Sequence, residues 1–136
     1  MRLTKMVYLA SPFTCYYESN TLKHQIERFR YDLITEIGGK LELIYAYAFI
    51  LPITMSYNTA KYMNVSGEFK YWARRDLTYI SRSDEVWVVQ MEGWEDSIGI
   101  REEVKFAQEN NITVRYVHPE TLKISKKVHK DDRQTI

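Results

Sequence analysis

Apolar residues arrive in two rhythms along this chain, and the rhythm switches repeatedly between strand-like and helix-like spacing. KMVYLAS at 5–11 is a β-rich run closed by Pro12 and predicts a first strand. Over 19–37, Leu22, Ile26, Phe29, Leu33 and Ile37 recur at helical spacing, and Gly38 and Gly39 supply the expected stop. The most apolar run, 43–53, leads into AYAFILPIT at 46–54; lacking alternation, it predicts a second strand covered on both faces. Residues 55–65 show no clear period and read as a loop. A second helix is predicted over 66–82, with Phe69, Trp72, Ala73, Leu77 and Ile80 as its stripe. DEVWVVQM at 84–91 predicts the third strand. The third helix begins near Ser97 and ends at Asn110 or Asn111, and ITVRYV at 112–117 is the fourth strand. From Pro119 the chain is polar and mostly charged, and is expected to be mobile or to rest on a partner.

Strands that alternate with helices imply a parallel sheet joined by right-handed crossovers. The expected fold is therefore α/β: a three-layer, flavodoxin- or Rossmann-like parallel sheet of four to five strands with flanking helices. One domain spans 1–118 and a polar tail spans 119–136. In such folds ligands bind at the carboxyl ends of the strands. That rule puts YLASPF (8–13), PITMS (52–56) and EGWEDSIG (92–99) at the edge of any site.

Composition narrows the options. With 136 residues and 45% hydrophobic, the chain fits one domain with a real core. A net charge of +1 gives no electrostatic footprint for DNA or RNA, so no nucleic-acid polymer is expected as a partner. A membrane span needs roughly 20 apolar residues, more than the longest run here provides, and no export signal opens the chain. The lone Cys15 excludes an internal disulfide framework, suits a reducing compartment and is read as a passive loop residue. A soluble, cytoplasmic domain is the expectation. His24, His118 and His129 are scattered and show no metal-ligand spacing, and neither GxGxxG nor a Walker-type loop occurs. No metal and no cofactor are expected.

Two acids break the amphipathic pattern. On a wheel of about 100° per residue, with Ile98 at zero, Glu103 falls near roughly 140°, between Phe106 and Ala107. Glu102 falls near roughly 40°, on the solvent side with Lys105 and Glu109. On the preceding helix, Asp76 sits inside the arc of Trp72, Ala73, Leu77 and Ile80. Burying an isolated carboxylate costs several kcal/mol unless it is paired or hydrogen-bonded. Such acids either serve chemistry or are satisfied locally, by backbone or tyrosine hydrogen bonds or by an arginine such as Arg28 or Arg74. Asp84, which opens a strand, reads as structural.

RDLTYISRSD (75–84) followed by SIGIREEVKFA (97–107) resembles the nucleoside 2-deoxyribosyltransferase superfamily. Within it, the motifs are most similar to the 2'-deoxynucleoside 5'-monophosphate N-glycosidases. VYLASPF resembles small phage and bacterial members without an established activity. The likeness covers 5–118 and rests on Asp-Leu-x-x-Ile-x-x-Ser-Asp and Ser-x-Gly-x-x-x-Glu in order after a strand-borne tyrosine. The resemblance implies Glu103 as nucleophile, Asp76 as the residue handling the base, and Tyr8 as the phenol that orients Glu103. It implies Ser97 and Gly99 at a helix N-terminus suited to a 5'-phosphate. The family's Gly-Ser turn and phosphate-binding arginine are replaced here by Leu-Ala-Ser-Pro-Phe-Thr, where Ser11 and Thr14 offer donors. Phe13, Tyr16 and Tyr17 stand where a base would stack. Trp94, absent from the pattern, would either wall the pocket or cover the core.

The implied reaction is cleavage of the N-glycosidic bond of a 2'-deoxynucleoside 5'-monophosphate, or of a deoxynucleoside, through a covalent deoxyribosyl-enzyme intermediate. Alternatives are 2-deoxyribosyl transfer between bases and a non-catalytic nucleotide-binding or sensing module. The partner is a small nucleoside or nucleotide, and the resemblance also implies a homo-oligomer, dimer or larger.

Overall fold

The computed structural model describes residues 3–12, 21–63 and 69–129. Its strands are β1 (Met6–Ala10), β2 (Ala48–Ile50), β3 (Glu85–Val89), β4 (Thr113–Val117) and β5 (Ile124–Ser125). Its α-helices are α1 (Thr21–Tyr45), α2 (Pro52–Met63), α3 (Phe69–Ser81) and α4 (Ile98–Glu109). The sheet runs in the order β2-β1-β3-β4-β5; the first four strands are parallel and β5 is antiparallel to β4. This is the expected three-layer α/β architecture.

Alternation along the strands assigns the layers. Val7 and Leu9 on β1, with Trp87 and Val89 on β3, face Ile34, Ile37 and Leu41 of α1 and Ile53 of α2. Tyr8 and Ala10, with Val86 and Val88, face Ile80 of α3 and Ile100 and Ala107 of α4. Every residue of β3 is buried, as a central parallel strand requires. Because β1 leads outward to β2 on one side and neighbours β3 on the other, the connections diverge between β1 and β3. A ligand crevice belongs at the carboxyl ends of those two strands.

Four sequence expectations are corrected. The glycine pair does not stop α1, which runs on to Tyr45. Gly38 lies so close to the next segment that a Cβ there would come within 2.7 Å of Leu51 Cδ2. It is a packing glycine, and the helix instead ends at Ala46, which takes a positive φ of 56°. The buried face is consequently Ile34, Ile37, Gly38 and Leu41, while Ile26 and Phe29 of the expected stripe are 43% and 64% exposed.

The long apolar run is divided among the end of α1, the three residues of β2 and the start of α2. Pro52 favours the first turn of a helix, where its missing N–H is no loss. The expected loop over 55–65 is helical as far as Met63, with Ile53, Ser56 and Tyr57 as its buried face. A polar Ser56 on that face hides the period.

The tail, finally, is bound through Ser125 as β5, and His129 exchanges hydrogen bonds with the Gln90 side chain at 2.8 and 2.9 Å. The scattered histidines also meet, for the His118 and His129 rings lie 5.8 Å apart. Among the described residues, no group of His, Cys, Asp and Glu converges as a metal site, and no helix is long and apolar enough to cross a membrane.

Candidate active site

α4 starts where Ser97 caps it: Ile100 N–H donates to Ser97 Oγ at 3.2 Å. It ends at Glu109, and Asn111 just beyond lies in the left-handed region at φ 59°, with Ile112 N–H donating to the Ala107 carbonyl and Asn111 N–H to that of Gln108. Between these ends Ile100, Glu103 and Ala107 face the sheet and Glu102 faces solvent, as the wheel requires. On α3 the buried pair is Asp76 and Ile80.

These faces meet over the carboxyl end of β1. The Tyr8 hydroxyl donates to Glu103 Oε2 inside the core, and no other described residue bonds to this carboxyl group. Both side chains line a small cleft of about 40 Å³ that opens to solvent, with Asp76, Ser11, Ser97 and Gly99 around it. Phe69, Trp72, Pro52 and Ser56 complete its walls. Gly99 lets Phe69 pack closely here, since a Cβ there would stand 3.2 Å from Phe69 Cδ1.

The acids differ in what surrounds them. Burial drives the Glu103 carboxyl up to about 8; the Tyr8 hydrogen bond and the more distant Arg75 charge resist this, while Asp76 adds to it. Burial, together with Glu103 and Asp76, lifts the Tyr8 phenol well above its ordinary range, so it stays a neutral donor. Burial also raises Asp76, but Arg75 opposes the rise with its charge and its hydrogen bonds. Arg75 Nε and Nη2 both donate to Asp76 Oδ1, at 3.0 and 2.8 Å, and leave Oδ2 without a partner among the described residues. The same guanidinium donates to the Pro52 carbonyl at 3.2 Å and to Ser56 Oγ, and lies 4.6 Å from the centre of the Trp72 ring. Its buried Nη1 finds no partner among the described residues.

Six of the eight predicted site residues are thus brought together: Tyr8, Ser11, Asp76, Ser97, Gly99 and Glu103. Phe13 lies outside the described residues. Trp94 lines a different groove on the far side of Ser97, packed 5.9 Å from Tyr116 and beside Arg101 and Lys105. Of the two readings offered for it, the wall of this cleft is therefore excluded. Asp84 is structural: its Oδ2 accepts from Met6 N–H at 2.7 Å, joining β3 to β1.

Sequence reasoning missed Arg75, and placed Ser56 at the site edge only as part of PITMS, without a role. Arg75 sits one position from Asp76, about 100° around the helix, so a wheel assigns it to the flank. Its only signal was adjacency to an inward acid. Phe69 and Trp72 were expected to be core, and they also wall the cleft.

A protein-family model described as "Domain of unknown function (DUF1937)" matches residues 5–118, a span running from the start of the sheet to the end of β4. No curated protein matches the chain.

Proposed function

The chain belongs to the DUF1937 family, and as that description names no activity, we propose one from the cleft: cleavage of the N-glycosidic bond of a 2'-deoxynucleoside or its 5'-monophosphate. The observation that carries this reading is the buried hydrogen bond from Tyr8 to Glu103 in a cleft that Asp76 also lines. Breaking a glycosidic bond develops oxocarbenium character at C1', which an adjacent carboxylate stabilises or captures covalently. Glu103 supplies that carboxylate and Tyr8 fixes its orientation. Asp76 presents its free Oδ2 to the departing base. Ser97 and the first amides of α4 favour a 5'-phosphate, since the first turn of a helix leaves N–H groups unpaired. Phe69 and Trp72 offer apolar walls for a base. Water resolves the deoxyribosyl-enzyme ester.

The test is incubation of the purified protein with deoxynucleosides and deoxynucleoside monophosphates, with and without a second free base, followed by chromatography of the products. Free base and deoxyribose (or its phosphate) are the expected products. Base exchange would reassign the protein as a transferase. Thermal stabilisation by nucleotide without turnover would reassign it as a binding module.

A further inference from the structure

On the glycosidase reading above, we propose that the empty site at neutral pH holds one mobile proton on Glu103, and that Arg75 is the positioning residue that fixes Asp76 as the carboxylate relaying this proton to the leaving base. The geometry is asymmetric. Asp76 Oδ1 takes two N–H bonds from a cation, whereas Glu103 receives only a neutral phenol. Among the described residues, the titratable and charged groups facing Glu103 are Tyr8 from β1 and Asp76 and Arg75 from α3; α2 adds only the uncharged Pro52, Ile53 and Ser56 to the cleft wall. Of the described side chains lining the cleft, only Tyr8, Asp76 and Glu103 titrate. A single proton shared by two carboxyl groups goes to the one without a cation. Burial that drives Glu103 up to about 8 agrees with this assignment.

Because Tyr8 donates to Oε2, the proton sits on Oε1, the oxygen without a partner among the described residues. Asp76 lines the same cleft, and its Oδ2 is likewise without a partner among the described residues. As the glycosidic bond breaks, its electron pair leaves with the base nitrogen. The Glu103 proton passes to Asp76 Oδ2, and Asp76 delivers it to the base. Glu103, now anionic, forms the bond to C1'. A protonated glutamate and a deoxynucleoside have become a deoxyribosyl ester and a neutral base, with no proton drawn from solvent. In the second half, water adds to C1', the ester bond breaks back to Glu103, and the proton of water returns to Glu103 through Asp76.

The experiment has two independent arms. In the first, the carboxyl carbons of labelled Asp and Glu are titrated by NMR in the substrate-free protein. Glu103 is expected to be protonated at neutral pH and to titrate near 8, with Asp76 already ionised. In the second, kcat/KM should be flat through neutrality and fall about tenfold per pH unit above about pH 8, as the essential proton is lost. An ionised Glu103 at neutral pH, or kcat/KM climbing tenfold per unit as pH rises toward 8, would overturn the proposal. Arg75→Met should move the Asp76 titration upward and cut kcat more than it changes KM, and Arg75→Lys should bring the titration back down; an unmoved Asp76 sinks the role of Arg75. Should Arg75→Met not fold, the wild-type titration and pH profile still decide where the proton sits. No turnover of any deoxynucleoside or deoxynucleotide, with both titrations as expected, would remove the glycosidase reading and the relay with it, leaving only the resting proton.

Discussion

Two of the buried glutamates lie at opposite ends of the sheet, and they live under opposite rules. At the amino edge, Glu85 on β3 is 7% exposed and takes hydrogen bonds from Lys5 (2.9 Å), Arg115 (2.8 Å) and the Trp87 indole (2.8 Å). Burial alone would raise its carboxyl, but those three donors more than offset this and hold it below the ordinary carboxylate range. At the carboxyl edge, Glu103 is 5% exposed and has one neutral partner. The first is a structural charge whose neighbours are complete. The second is left short of counter-charge beside an open cleft, where a perturbed acid is a mark of function rather than of stability.

The largest expected effect is on turnover. Glu103→Gln should lower base release by at least about 10³-fold, because on the proposed reading it removes the nucleophile. The side chain is nearly isosteric with a protonated glutamate and cannot ionise in the unfolded chain, so the melting temperature should hardly move near pH 4.5 and should lie above wild type at neutral pH. A variant retaining full turnover would end the contrast drawn here.

Glu85→Gln should do the reverse. It strands two cations and should cost about 2 kcal/mol in urea denaturation, while turnover per folded molecule stays at the wild-type level. A drop in kcat at preserved stability would mean that the two ends of the sheet are not separate in function.

The pH dependence of stability sharpens the comparison because the two acids have opposite signs. The unfolded chain releases the Glu103 proton near the ordinary value of 4.5, while the folded protein keeps it to about 8. Its contribution is therefore whole below about pH 4.5 and is lost as pH rises toward about 8, at up to about 1.4 kcal/mol per pH unit. Glu85, with a lowered value, contributes above the ordinary 4.5 and loses that contribution as pH falls through its folded value. Denaturation measured across this range should show falling stability toward alkaline pH, and that slope should flatten in Glu103→Gln but persist in Glu85→Gln. The smallest effect belongs to exposed Glu102, whose replacement by Ala should change stability by less than about 0.5 kcal/mol and leave kcat/KM close to wild type.

Much of this site could be read from local pattern. Helical wheels find Glu103 and Asp76 because amphipathicity is a property of each helix by itself, and the ends of α4 are written in Ser97 and the Asn110-Asn111 pair. What escaped depends on contacts between segments distant in the chain. Gly38 reads as a stop until Leu51 is seen against it. Ser56 reads only as the end of a segment at the site edge until Arg75 reaches it from α3. β5 is two residues without a local signal, paired only because β4 offers an edge.

That short pairing sets a practical boundary. Residues 5–118 bound the family match, yet Tyr116 and Val117 are paired with Ser125 and Ile124, and Gln90 is clasped by His129. A version trimmed at His118 would bare a rim of unsatisfied amides and carbonyls and invite other chains to add strands there. Expressed forms should run at least through His129, or their clumping will be mistaken for natural assembly.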